Sequence, residues 1–203
     1  MVTVRKWDVF EISVHGASEG NPYLERTVSA VFEGSSERIS VDGFYDGNGT
    51  YRVRFMPSFE GEYTYVLDGS YGGGRVEGCF TVLPPAVDSH GPVHVAGGYH
   101  FAYADGTPYY PLGTTCYVWH LQSDERISET LQSLRESAFN KIRFCIFPKH
   151  YDYNLGEPRS YPYEGTPMDS SVLTRDNFYE YTFKTEGNAF DYTLFNPEYF
   201  RYI

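Results

Sequence analysis

Cysteine is scarce: Cys79, Cys116 and Cys145 are the three in the chain, odd in number and far apart. Each sits in an apolar, strand-like run. That excludes a disulfide framework and a cysteine zinc site, and predicts three small buried hydrophobes. Basic residues are also few, 16 Lys and Arg against 27 Asp and Glu, for a net charge of -11. Such a chain lacks the cationic footprint that nucleic acid or an anionic membrane surface demands, and a neutral or cationic ligand suits it better. No stretch approaches the ~20 apolar residues of a spanning helix. The opening MVTVRKWDVFEIS has neither an apolar signal core nor a small-residue cleavage site. A cytoplasmic location is therefore the default expectation, with secretion left open if a leader has been removed. Gly-x-Ser-x-Gly, phosphate-loop and dinucleotide fingerprints are missing, and the histidines show no HxH or HExxH spacing. No cofactor and no metal are expected.

Aromatic residues, by contrast, are abundant: 20 Tyr and 15 Phe bring the aromatic share to 18%. Most of them suit β-strands. A surface that stacks flat apolar faces, such as sugar rings, would use the same residues, with the tyrosine hydroxyl as a polar tip.

Residues 1–83 alternate with period two. Phe10, Ile12 and Val14 share one face; Val28, Ala30 and Phe32 another. Tyr51, Val53 and Phe55 oppose Arg52 and Arg54, and Tyr63, Tyr65, Leu67, Val76, Phe80 and Val82 complete the pattern. Turn signals separate the runs, among them Asp46-Gly47-Asn48-Gly49 and Gly72-Gly73-Gly74. Short strands at this spacing predict a β-sandwich, Ig-like in shape although the Cys…Trp…Cys pattern is absent. Residues 84–98 read as a proline- and glycine-punctuated linker.

From residue 99 the pattern changes. A hairpin turning at Asp105-Gly106 precedes an apolar strand over 111–119. Ser123 then offers an N-cap to a helix with Ile127, Leu131, Leu134 and Ala138 on one face. The Ile142–Phe147 strand follows, with Arg143 inside it. Strand–helix–strand predicts the βαβ unit of a parallel sheet. A long polar and aromatic insertion occupies 154–190, and Asn196-Pro197-Glu198 is a strong helix start. A parallel sheet of two strands lacks cover, and few residues follow Glu198. The expectation is the N-terminal portion of a longer protein, whose unfinished βαβ unit invites self-association.

These segments resemble a known arrangement. WDVFEISV, VDGFYDGNGTYRVRFMPSFEGEYTY and GCFTVLPP resemble the β-sandwich, of unassigned function, that precedes many bacterial glycoside hydrolase barrels. HFAYADGTPYYPLGTTCYVWH, FNKIRFCIFPKHYDYN, SYPYEGTP and FDYTLFNPEYFRYI resemble the entry into the apiosidase-like, cellulase-like (β/α)8 barrel family. The resemblance implies a β-sandwich accessory domain at 1–83, a linker at 84–98, and the N-terminal part of a TIM-type glycosidase barrel at 99–203. It implies a parent enzyme that hydrolyses polysaccharide or oligosaccharide glycosides, with a carbohydrate substrate. The catalytic carboxylates of such barrels lie on later strands, so this chain alone is expected to be inactive.

Arg143 is the supporting candidate at the catalytic centre, because Asn-x-x-Arg in such barrels holds an arginine that steadies the nucleophile carboxylate. A structural ion pair in the barrel floor is the alternative. Tyr117, Trp119 and His120 lie at the C-terminal end of the first barrel strand, and Phe147, Lys149, His150 and Tyr151 at the end of the second, so all seven are candidates for substrate binding at one rim. Ordinary rim packing would explain Trp119 equally simply, and is the simpler account of His120. The loop acids Asp152, Glu157, Glu164, Asp169, Glu186 and Asp191 read as solvated or capping charges. A rival function is a non-catalytic sandwich module that binds carbohydrate or protein, or merely braces its neighbour.

Overall fold

The structure, a computed structural model, describes residues 2–147, 150–165, 174–177 and 190–203. It divides into two compact units, Met1–Tyr110 and Pro111–Ile203.

The first unit contains β1 (Thr3–Arg5), β2 (Phe10–His15), β3 (Ser29–Glu33), β4 (Arg38–Asp42), β5 (Phe44–Tyr45), β6 (Thr50–Phe55), β7 (Gly61–Asp68) and β8 (Val76–Leu83). They form a five-stranded sheet in the order β1-β8-β7-β3-β4 and a three-stranded sheet in the order β2-β6-β5. The predicted alternation decides which faces meet. Val53, Phe55 and Ile12 of the small sheet are buried with Phe32, Tyr63, Leu67 and Phe80 of the large one. Phe10 stacks on Phe80 at 3.9 Å and Phe32 on Phe55 at 4.2 Å between ring centres. On the outer face Arg52 and Arg54 both bond Glu11 across the β2–β6 pair. The Gly47-Asn48-Gly49 turn takes φ of 83°, 52° and 71°, the left-handed run that the sequence Asp-Gly-Asn-Gly anticipates.

Cys79 departs from expectation: it is exposed. It neighbours the fully buried Phe80 on β8, and strand alternation turns it to the opposite face. Residues 84–98 also contain a strand, β9 (Val93–Ala96), paired with β10 (His100–Tyr103), which in turn pairs with β11 (Pro108–Tyr109). The Val-His-Val-Ala alternation prevails there over the flanking Pro and Gly.

In the second unit β12 (Gly113–Thr115) and β13 (Lys141–Arg143) run parallel, with Thr114 opposite Ile142 and Thr115 opposite Arg143. Between them lie a 3₁₀ turn, Trp119–Leu121, and the helix Asp124–Arg135. Ser123 caps the helix, its hydroxyl accepting from Arg126 N at 3.4 Å. Both strands are shorter than the apolar runs predict, because the first turns into the 3₁₀ segment. Backbone bonds from Cys116 N to Arg143 O (2.9 Å) and from Cys145 N to Tyr117 O (3.2 Å) still continue the ladder. The Ile142–Phe147 run is not a buried strand: Ile142, Ile146 and Phe147 are all exposed, and no residue of the helix is buried. Two parallel strands present faces that nothing among the described residues covers fully. Further on, β14 (Tyr163–Glu164) pairs antiparallel with β15 (Asp191–Phe195). The final helix, Pro197–Tyr202, begins where Asn196 predicts, with its side chain accepting from Glu198 N at 3.2 Å. Among the described residues no helix is long and apolar enough to cross a membrane.

Candidate functional site

The β12–β13 pair sets the second unit's chemistry, because parallel strands release their following segments on the same side. Tyr117, Trp119 and His120 leave one strand; Phe147, His150 and Tyr151 leave the other. Lys149, with Pro148, lies outside the described residues.

Arg143 lies opposite its register partner Thr115, its guanidinium carbon 5.3 Å from the centre of the Tyr117 ring. The side chain is exposed, and no carboxylate pairs with it among the described residues. Tyr117 lies parallel to Tyr151, at 5.8 Å and 2°, and Tyr151 to Tyr153, at 5.1 Å and 13°. The Tyr151 hydroxyl meets Cys145 Sγ at 3.6 Å. Burial, and then that thiol, push the hydroxyl's pKa well above its ordinary value.

His120 is 1% exposed, with its Nε2 3.0 Å from the Tyr199 hydroxyl. Tyr199 spends its single proton on the carbonyl of Ile146. The tyrosine oxygen must therefore accept from His120, which places the imidazole proton on Nε2 and leaves Nδ1 a bare acceptor. Burial pushes the His120 pKa below its ordinary value and the Tyr199 hydroxyl up to about 12, so both stay neutral. His120 Nδ1 and the Trp119 indole N–H are both buried without a partner among the described residues. Trp119 packs edge-on against Phe144 at 6.1 Å, so the ring sits in the rim instead of lying open.

His150, nearly buried, places Nε2 3.0 Å from Glu157 Oε1, and the other Glu157 oxygen accepts from Tyr161. Tyr161 also belongs to an aromatic group, its ring 6.0 Å from Phe147 and 4.9 Å from Phe190. Glu157 is thus a hydrogen-bonding centre and not a solvated charge. The sequence offered no signal for this, since the three residues follow no known motif.

Glu164 and Asp191 are ladder partners across β14 and β15. The Asp191 carboxylate turns onto Thr193, accepting from its hydroxyl at 2.6 Å and its N–H at 2.9 Å, and those bonds lower its pKa. Asp169 and Glu186 lie outside the described residues. Among the described residues no group of three His, Cys, Asp or Glu side chains converges to hold a metal ion. The residues that sequence reasoning missed are Tyr153, Tyr199, Glu157 and Tyr161. Only Tyr153 left a trace, its i, i+2 spacing from Tyr151.

Residues 3–69 match the model of a family described as a domain of unknown function, DUF5060. No curated protein matches the chain. Among solved structures, the Lin-41 filamin domain is 15% identical over 40% of this chain and 82% of that one, at a TM-score of 0.29. A putative glycoside hydrolase from Bacteroides vulgatus ATCC 8482 is 39% identical over all of this chain, with a TM-score of 0.84. This chain spans 38% of that protein's length, and is similar in sequence and fold to a part of it.

Proposed function

We propose that the chain is the N-terminal portion of a glycoside hydrolase, an Ig-like β-sandwich followed by the first βαβ portion of a (β/α)8 barrel of the apiosidase-like, cellulase-like type. The observation that carries this is the similarity of the whole chain to a protein named as a putative glycoside hydrolase, 39% identical but spanned for only 38% of its length. The uncovered parallel strands support it, because such strands gain by further strand–helix units or by self-association. So does Arg143, an exposed cation without a carboxylate among the described residues, suited to meet a nucleophile carboxylate supplied from outside this chain. In this reading Trp119, His120, His150 and Tyr151 serve the substrate side of the rim, with Tyr117 stacked on Tyr151 and Phe147 packed against Tyr161 and Phe190; Lys149 is assigned to the same side from its place in the sequence alone. Glycoside hydrolysis needs two facing carboxylates, and these belong to the rest of the barrel.

The test is expression of the whole reading frame that carries this chain, assayed for reducing-sugar release from neutral plant polysaccharides. Release that falls at least about tenfold in kcat in Arg143→Ala, ~1.4 kcal/mol of barrier, supports the reading. A frame without activity on any glycoside refutes it, and near-parental turnover of Arg143→Ala removes that residue from the site.

A further inference from the structure

Tyr153 is 63% exposed, yet its ring is held. It lies nearly parallel to Tyr151, which lies parallel to Tyr117, which faces the Arg143 guanidinium. The turn beneath is closed by paired backbone bonds, Tyr151 N to Asn154 O at 3.0 Å and Asn154 N to Tyr151 O at 2.9 Å. Asn154 in turn accepts from Gln122 Nε2 at 3.0 Å, which ties the turn to the 3₁₀ segment. An ordinary surface tyrosine would sample several rotamers. This one is set flat in advance, so a ligand stacking on it spends little on ordering the side chain.

We propose that the exposed face of Tyr153 is a stacking platform for a neutral sugar ring, an outer binding position of the glycan site proposed above. The face of a tyrosine ring carries negative π density, which attracts the slightly positive C–H hydrogens on the flat side of a sugar. The neighbouring Asp152 offers an acceptor for ring hydroxyls and, with the net charge of -11, opposes phosphate-bearing ligands that could also stack. The inference rests on the glycoside reading, and extends it to a residue beyond the strand ends themselves.

Affinity electrophoresis of the 203-residue chain in native gels containing arabinan, galactan, xylan or a soluble cellulose derivative tests it. The expected result is retardation by at least one polymer. Tyr153→Ala should weaken that retardation at least about tenfold in Kd. Tyr153→Phe, which keeps the stacking face, should match the parent. Circular dichroism of each variant confirms that the exposed substitution leaves the fold intact. Retardation of Tyr153→Ala equal to the parent, or no retardation of the parent by any polymer, overturns the platform. Hydrolysis by the whole reading frame, alongside either of those results, removes the platform while the glycoside reading stands.

Discussion

Removing one oxygen tests how the second unit is held together. Tyr199→Phe deletes the group that accepts from His120 Nε2 and donates to Ile146 O. The two losses are unequal. Ile146 is exposed, so its carbonyl can turn to water. The His120 ring is buried and cannot, so its N–H is stranded, at about 1–3 kcal/mol for an unsatisfied buried donor. With a urea m-value of ~2 kcal/mol/M, the unfolding midpoint of this unit should fall by roughly 1 M. The chain has two tryptophans, Trp7 and Trp119, one in each unit. In a Trp7→Phe background the only remaining indole is Trp119, whose ring centre lies 5.7 Å from that of His120, so its fluorescence reports this unit alone. Tyr202→Phe serves as the comparison: its hydroxyl, on a side chain 40% exposed, donates to His120 O at 3.2 Å, and its loss should cost only about 0.5–1 kcal/mol. A Tyr199→Phe unfolding free energy within about 0.5 kcal/mol of its parent would refute the assignment. So would a ¹⁵N spectrum showing the His120 proton on Nδ1.

The buried, neutral His120 also gives the unit a pH dependence. Its folded pKa is depressed below the ordinary 6.5, so the unfolded chain binds the proton first, and stability should fall as pH drops below that value; His120→Gln should flatten the slope in denaturation curves. In the first unit a hydrogen bond from His90, aided by the Thr107 N–H, holds the Asp105 carboxyl at about 2. That contribution is complete above 3.8 and lost as pH falls through about 2, and His90→Ala should return the Asp105 titration toward 3.8 by carboxyl NMR. Gly43→Ala would set a methyl carbon 2.4 Å from Arg52 O and 2.7 Å from Val28 and Val53 side-chain carbons. Thermal unfolding should show a loss of about 1–3 kcal/mol in the two-sheet unit.

What the sequence determined by itself was whatever depends on neighbours a few residues apart. Alternation at Tyr51, Val53 and Phe55 picked the buried face, since side chains on a strand cannot choose otherwise once one face is apolar. Asp46-Gly47-Asn48-Gly49 named its turn through the φ angles that glycine and asparagine tolerate. Ser123 and Asn196 named their helices through the orphan N–H groups that their side chains satisfy. The parallel pairing of the two strands around the Ser123 helix was equally legible, because the alternative connections are few.

Tertiary structure alone decided how far those strands run, how exposed the Ile142–Phe147 segment is, and which polar groups meet. His120 finds Tyr199 across 79 residues, and Tyr117 comes to lie flat against Tyr151 only once the strands are in register. Periodicity states which way a side chain points along its own element. It carries no information about which distant element arrives to satisfy a buried N–H or to stack on a ring, and the candidate site is made of such meetings.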